Sequence, residues 1–334
     1  MHIPQQIMDI EDYIEQFRKL NRSKNKSIWD ERTQNGAPHK PFLLLIIIDH
    51  IRNGQIDSPS FSLTQDLIDD FRMYWNGILP DKHYSSIAYP FYYMNSEPFW
   101  QMHFNADYPY ADKKTWTPSV RELQNYVSET YLDQDLFDFL NDETNRDILR
   151  RVLLDEYFDK KSRDKINELS NYTEVLNDYS KKLLEKVAEP FEKYHAKSHD
   201  ITHSNSWIQN RDRPFSRLVR KAYNYQCVVC QSGILTDDGL SLVEGAHIIP
   251  WSQSYNDDLR NGLSLCPSHH WMFDHYLLAV RTDYSIAVSK KLELWGKNVE
   301  ETLARDKEMI SLPDDNKYYP ATEALEEHWE MFEK

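Results

Sequence analysis

All three cysteines of this chain lie in one short stretch, as Cys227-Val-Val-Cys230 and Cys266-Pro-Ser-His269. A Cys-x2-Cys turn presents two thiolates to one tetrahedral ion, and a Cys-x2-His turn can complete the shell, so this is the donor set of a structural Zn2+ site. Three cysteines cannot all pair with one another, which argues against a disulfide framework. The acidic chain shows no secretory leader and is expected in a reducing cytoplasm, where such clusters bind metal rather than oxidise. The competing reading is a set of buried, apolar thiols. His269 and His270 are neighbours, and neighbours on a helix point about 100° apart. One can face the zinc while the other faces a second site.

A second set of residues is interleaved with the first. It runs Ala246-His247-Ile248-Ile249-Pro250, then Asn261-Gly262-Leu263-Ser264-Leu265-Cys266, then His269-His270 and Phe273-Asp274. Over this stretch the chain resembles the HNH endonucleases of the ββα-metal fold, in particular their bacterial restriction-type branch. The family's signature residues map onto His247, Asn261 and His270. The resemblance implies hydrolysis of phosphodiester bonds in double-stranded DNA. A neutral imidazole near pH 7 can take a proton from water, and His247 is the expected base, with a backbone carbonyl setting its tautomer. A divalent ion, Mg2+ or Mn2+, would stabilise charge on the scissile phosphate. His270 would hold it, and Asp274, four residues on along the same helical face, is the expected second ligand. Asn261 would brace the loop that carries the base or reach the ion directly. Many members carry an Asp or His ligand just before the base, where this chain has Ala246. Glu244 lies on the same strand face as Ala246, and is either a further ligand or a solvated strand-end carboxylate.

Such residues need elements to hold them, and composition bounds what those are. The chain has 334 residues with 40% hydrophobic and 13% aromatic content, which is long enough for two domains. No apolar run reaches the length of a membrane span. The net charge is −15, distributed as −9 over residues 1–204, +1 over 205–291 and −7 over 292–334. The segment with the metal and histidine motifs is therefore the least acidic. A preceding helix carries Arg211, Arg213, Arg217, Arg220 and Lys221, either a phosphate-contacting ridge or an ordinary solvated face.

The expected class is α+β, with a mainly helical N-terminal domain and a small β hairpin (1–160), a helical linker (161–204), a ββα-metal nuclease domain (205–291) and an acidic helical tail (292–334). Within the first domain, Pro41 sits at the first turn of a helix running to Asn53-Gly54. Residues 89–94 and 99–104 read as two aromatic strands joined at Asn95-Ser96-Glu97-Pro98. Residues 118–157 read as helical.

Residues 30–160 carry the pattern Pro38-His39-Lys40-Pro41-Phe42, then Tyr89-Pro90-Phe91, then Phe99-Trp100, then Leu154-Asp155-Glu156-Tyr157-Phe158. This resembles the sulfur-binding domain of type IV restriction endonucleases that cut phosphorothioate-modified DNA. The likeness implies an apolar pocket lined by Tyr89 and Pro90, where Tyr93 replaces the family's small residue. It also implies phosphate contacts from His39, Lys40 and Arg72. A nuclease domain that contacts mainly backbone reads little sequence, and a tethered reader would restrict where it acts. The expected function is a modification-dependent restriction or defence endonuclease, working as a homodimer if it cuts both strands. The alternatives are a defence nuclease activated by a partner or ligand, and a non-catalytic zinc-organised DNA-binding module.

Overall fold

The computed structural model describes residues 8–105, 118–194, 205–297 and 299–334, with the side chains of 205–212 excepted. The fold is α+β. Its residues fall into two compact units, 1–175 with 236–240, and 176–235 with 241–334. No helix among the described residues is long and apolar enough to cross a membrane.

The first unit is built from α1 (Ile10–Arg18), α2 (His39–Arg52), α3 (Gln65–Ile78), α4 (Ala88–Tyr93), α5 (Val120–Tyr126), α6 (Gln134–Asn141), α7 (Glu143–Tyr157) and the first half of α8 (Lys160–Lys186). Its antiparallel sheet has the order β1 (Ser60–Phe61), β3 (Val127–Leu132), β2 (Trp100–Phe104). Helix α2 is apolar on every side and is buried from Phe42 to Ile48, as expected of a central core helix. Phe42 stacks on Phe158 at 5.1 Å. The one buried acid of α2, Asp49, accepts hydrogen bonds from the Tyr74 and Ser170 hydroxyls, so its charge is not left unsatisfied in the core.

Two expectations for this unit are corrected. Residues 88–93 form α4 rather than a strand, because Ile87, Phe91 and Met94 bury one helical face. Pro90 sits in the first turn of α4, where its missing N–H has no helical partner to lose. Strand β2 pairs instead with β3, which interrupts the region read as continuously helical. There the Val, Thr and Tyr content of Val127–Leu132 favours a pleated surface.

The second unit begins in the C-terminal half of α8, so this helix contributes to both units rather than forming a separate linker. Then follow α9 (Asn205–Ala222), β4 (Glu244–His247), α10 (Trp251–Ser254), β5 (Gly262–Leu265) and α11 (Pro267–Asp274). Strands β4 and β5 are antiparallel, with Glu244 opposite Leu265 and His247 opposite Gly262. Helix α9 buries Phe215, Leu218 and Val219 against them. A Cβ on Gly245 would lie 2.6 Å from the Ser216 Cα, and one on Gly262 would lie 2.5 Å from a Val219 methyl. Both positions need glycine for the helix to sit directly on strand backbone.

A hairpin of β6 (Leu278–Val280) and β7 (Ile286–Val288) follows, then α12 (Lys290–Trp295), α13 (Glu300–Leu303) and α14 (Thr322–Phe332). The region expected as a tail of its own is part of this unit's core. Ile310, Ala321, Ala324 and Leu325 are buried there, and Ala321 N–H donates to the Arg260 carbonyl at 2.9 Å.

Candidate active site and metal centre

The Cys-x2-Cys turn is closed by Gln231, whose N–H donates to the Cys227 carbonyl at 2.8 Å in a left-handed conformation at φ 60. Cys266 caps the N-terminus of α11, with Pro267 in the first turn. The ligating atoms of Cys227, Cys230, Cys266 and His269 all lie within 4.8 Å of one another. The Nδ1 atom of His269 is 3.4 Å from the Cys227 sulfur and 3.2 Å from that of Cys266. A hydrogen bond shared between the two thiols holds Cys266 down to about 7 and, with burial, pushes Cys227 up. A soft, preassembled Cys3His set of this kind suits a tetrahedral metal ion.

One residue further along α11, His270 points elsewhere. Its Nδ1 is 2.8 Å from a Glu244 carboxylate oxygen, and its Nε2 is 3.6 Å from Asp274. The two carboxylates therefore lie on opposite edges of one ring. A single ion can occupy only one edge, so Glu244 and Asp274 do not share an ion through this histidine. Glu244 thus contacts the ring at Nδ1, and Asp274 lies on the side of Nε2. Ala246, on the same strand face, is buried at 1% exposure and adds no donor.

His247, at the end of β4, lies flat against Phe215, with ring centroids 3.8 Å apart and 7° between planes. Its Nε2 is 2.8 Å from Oδ1 of Asp257. The partner is a buried carboxylate and not the backbone carbonyl expected from sequence. Tyr179 on α8 donates its hydroxyl to the other Asp257 oxygen at 2.6 Å. Sequence reading missed Asp257, Tyr179 and Phe215. The acidic pair Asp257-Asp258 ten residues after the base was a local signal for the first, whereas Tyr179 and Phe215 come from distant helices.

Asn261 is fully buried, and the bonds of its side chain go to backbone. It accepts from Ile249 N–H at 2.9 Å and donates to the carbonyls of Ile249 and Asn256, both at 3.1 Å. It thus ties the segment after His247 to the loop that carries Asp257. These contacts fit the bracing alternative.

The remaining candidates are scattered. Arg213 and Lys221 are exposed on α9. Arg217 donates to Ser180 at 3.0 Å and Arg220 to the Ser216 carbonyl at 3.3 Å. The side chain of Arg211 lies outside the described residues. In the first unit, Tyr89 and Tyr93 are 43% and 47% exposed on α4, one helical turn apart, while Pro90 is buried.

The basic residues expected to contact phosphate in that unit are engaged internally. Lys40 is buried, and its ammonium bonds Glu97 and, at 2.9 Å, Ser96. His39 packs against Trp29 and Trp75 and hydrogen-bonds Ser85 at 2.8 Å, and burial pulls its pKa down to about 4. Arg72 lies 3.9 Å from the centre of the Tyr84 ring and donates to Asp238 at 2.9 Å.

Residues 227–281 match a family described as HNH endonuclease. Anaredoxin of Nostoc sp. (strain PCC 7120) is 34% identical over 58 residues, which span 17% of this chain and 68% of that protein. Among solved structures, a modification-dependent TagI restriction endonuclease is similar at 22% identity with a TM-score of 0.27. That likeness covers 35% of this chain and 36% of the other, about a third of either.

Proposed function

Residues 227–281 make this chain a member of the HNH endonuclease family, and from that premise we propose that it hydrolyses phosphodiester bonds in double-stranded DNA. The observation that carries the reading is the His247–Asp257 contact at 2.8 Å on β4, in the same ββα unit as the Cys3His cluster. His247 accepts a proton from water through Nδ1, because Nε2 is engaged by the carboxylate. The hydroxide oxygen bonds to phosphorus, the P–O bond to the 3′ oxygen breaks, and that oxygen takes a proton from solvent. His270 and Asp274 would hold Mg2+ or Mn2+, which supplies charge stabilisation at the phosphate. Two protein ligands are enough for such an ion, since it keeps several waters and binds substrate phosphate as well. Zn2+ would occupy the Cys3His set and fix α11 against β5, which orients His270.

Among the described side chains of α9, Arg213 and Lys221 are exposed and suited to phosphate contact. The first unit would read the DNA to be cut, with Tyr89 and Tyr93 as the exposed aromatic surface. A restriction or defence role against modified DNA, and a homodimer for double-strand cleavage, complete this proposal.

The test is cleavage of phosphorothioate-bearing, methylated and unmodified plasmids with Mg2+ and with Mn2+. Cutting of one modified class alone supports a modification-dependent enzyme. Equal cutting of all three removes the reader from the proposal and leaves the nuclease.

A further inference from the structure

We propose that Asp257 and Tyr179 are positioning residues for the general base, acting together to hold His247 in the tautomer that leaves Nδ1 free. This rests on the nuclease reading above and deepens it. The geometry is a chain of two hydrogen bonds. The Tyr179 hydroxyl donates to Asp257 Oδ2 at 2.6 Å, and Asp257 Oδ1 faces His247 Nε2 at 2.8 Å. Asp257 is 4% exposed, and an ionised carboxylate can only accept. The ring must therefore carry its proton on Nε2, and the lone pair is on Nδ1. Phe215 stacked on one face fixes the plane of the ring.

The carboxylate is itself held in place. Asn256 donates to the Glu192 carbonyl at 2.8 Å and accepts from Asp258 N–H at 2.8 Å. The Asn256 carbonyl in turn receives Asn261. When Nδ1 takes the water proton, the ring becomes an imidazolium and its Nε2–H still donates to Asp257. Among the described residues, Lys186 from α8 and Asp258, which is paired with Arg260 at 2.7 Å, also lie near this carboxylate.

Tyr179 makes the arrangement testable through an amide. In Asp257→Asn, the Tyr179 hydroxyl, which donates at this position in the wild type, favours the carbonyl oxygen there and turns the NH2 group to His247. That NH2 donates to Nε2 and drives the proton to Nδ1, which disables the base. Removing the hydroxyl lets the amide flip. The experiment compares wild type, Asp257→Asn and the double variant Asp257→Asn/Tyr179→Phe. It measures kcat and KM for plasmid cleavage with Mn2+, and the tautomer of 15N-labelled His247 by NMR in the zinc-loaded protein.

The expected result for Asp257→Asn is a fall in kcat of roughly 10²–10⁴-fold, the range for a lost general base. KM stays within a few-fold, and the His247 proton moves to Nδ1. In the double variant, kcat recovers at least about ten-fold and the proton returns to Nε2. A wild-type tautomer in Asp257→Asn, or a double variant no better than the single one, overturns the inference. If wild-type protein cuts no DNA, the nuclease reading fails, and the NMR comparison still decides this one.

Discussion

The Glu244 carboxylate and Nδ1 of His270 lie 2.8 Å apart, and this contact turns the other ring nitrogen toward Asp274. Strand β4 thereby sets the direction in which α11 presents its ligand. We propose on this geometry that Glu244 would act through His270 rather than on a bound ion.

A consequence is that Glu244→Ala and Asp274→Ala differ. Loss of an orienting partner typically weakens metal affinity or activity by about 10–100-fold. For Glu244→Ala we expect that range in the Mn2+ concentration needed for half-maximal cleavage, with near-normal rates once Mn2+ is raised. Asp274→Ala should lower the rate even at saturating Mn2+. Identical Mn2+ titrations for the two variants would contradict the assignment.

The Cys3His cluster joins the turn at Cys227–Cys230 to the N-terminus of α11, and metal binding in such sites is folding free energy. Cys266→Ser, or treatment with a strong zinc chelator, should lower the melting temperature of the second unit by roughly 10 °C or more, the shift for a loss of about 3 kcal/mol or more in a unit of this size. The first unit should keep its own transition. Calorimetry on the full chain reads both. A chelator without effect on either transition would rule out a structural metal.

His328 of α14 stacks on Phe273 at 3.7 Å and bonds the Phe273 carbonyl at 3.1 Å. Burial pulls its pKa down to about 4. The unfolded chain binds the proton near pH 6.5, and the folded chain does so only near pH 4. Stability is therefore independent of this group above about pH 6.5, and it falls as pH drops through that window by up to about 3 kcal/mol. His39 adds a loss of the same sign in the first unit. Urea midpoints for wild type and His328→Gln between pH 7 and pH 4.5 check this. The wild-type curve should fall more steeply, and parallel curves would count against it.

Lys40 and Glu97 form a buried ion pair in the first unit, each side chain about 8% exposed. Removing one partner of such a pair costs about 3–5 kcal/mol, whereas replacing both by apolar groups can be neutral. Lys40→Met should unfold the first unit at lower urea, and Lys40→Met/Glu97→Leu should restore most of the loss. DNA affinity of the double variant should match wild type. A weakened complex with normal stability would return Lys40 to the phosphate contacts expected from sequence.

The sequence made the metal cluster legible because its ligand spacing is local. Cys-x2-Cys and Cys-x2-His each fit within one turn, and the neighbouring histidines diverge by helix geometry alone. The partners of His247 were not legible to the same degree. Asp257 is reached across a loop, and Tyr179 and Phe215 arrive from helices 68 and 32 residues upstream. The first unit misled for physical reasons. Tyr89-Pro90-Phe91-Tyr92-Tyr93-Met94 has the composition of a strand, but the spacing of Ile87, Phe91 and Met94 is that of a helix. Lys40 and Arg72 read as free cations because Glu97 and Asp238, which engage them, are far along the chain.

Everything proposed for this site depends on His247 serving as the base that hydrolyses DNA. The most direct measurement is the rate of plasmid cleavage in Mn2+ for wild type and His247→Ala, both zinc-loaded and equally folded by circular dichroism. Wild type should cleave, and the variant should lose roughly 10²–10⁴-fold in rate. Equal rates for the two proteins, or no cleavage by wild type on any of the three plasmids, would contradict it.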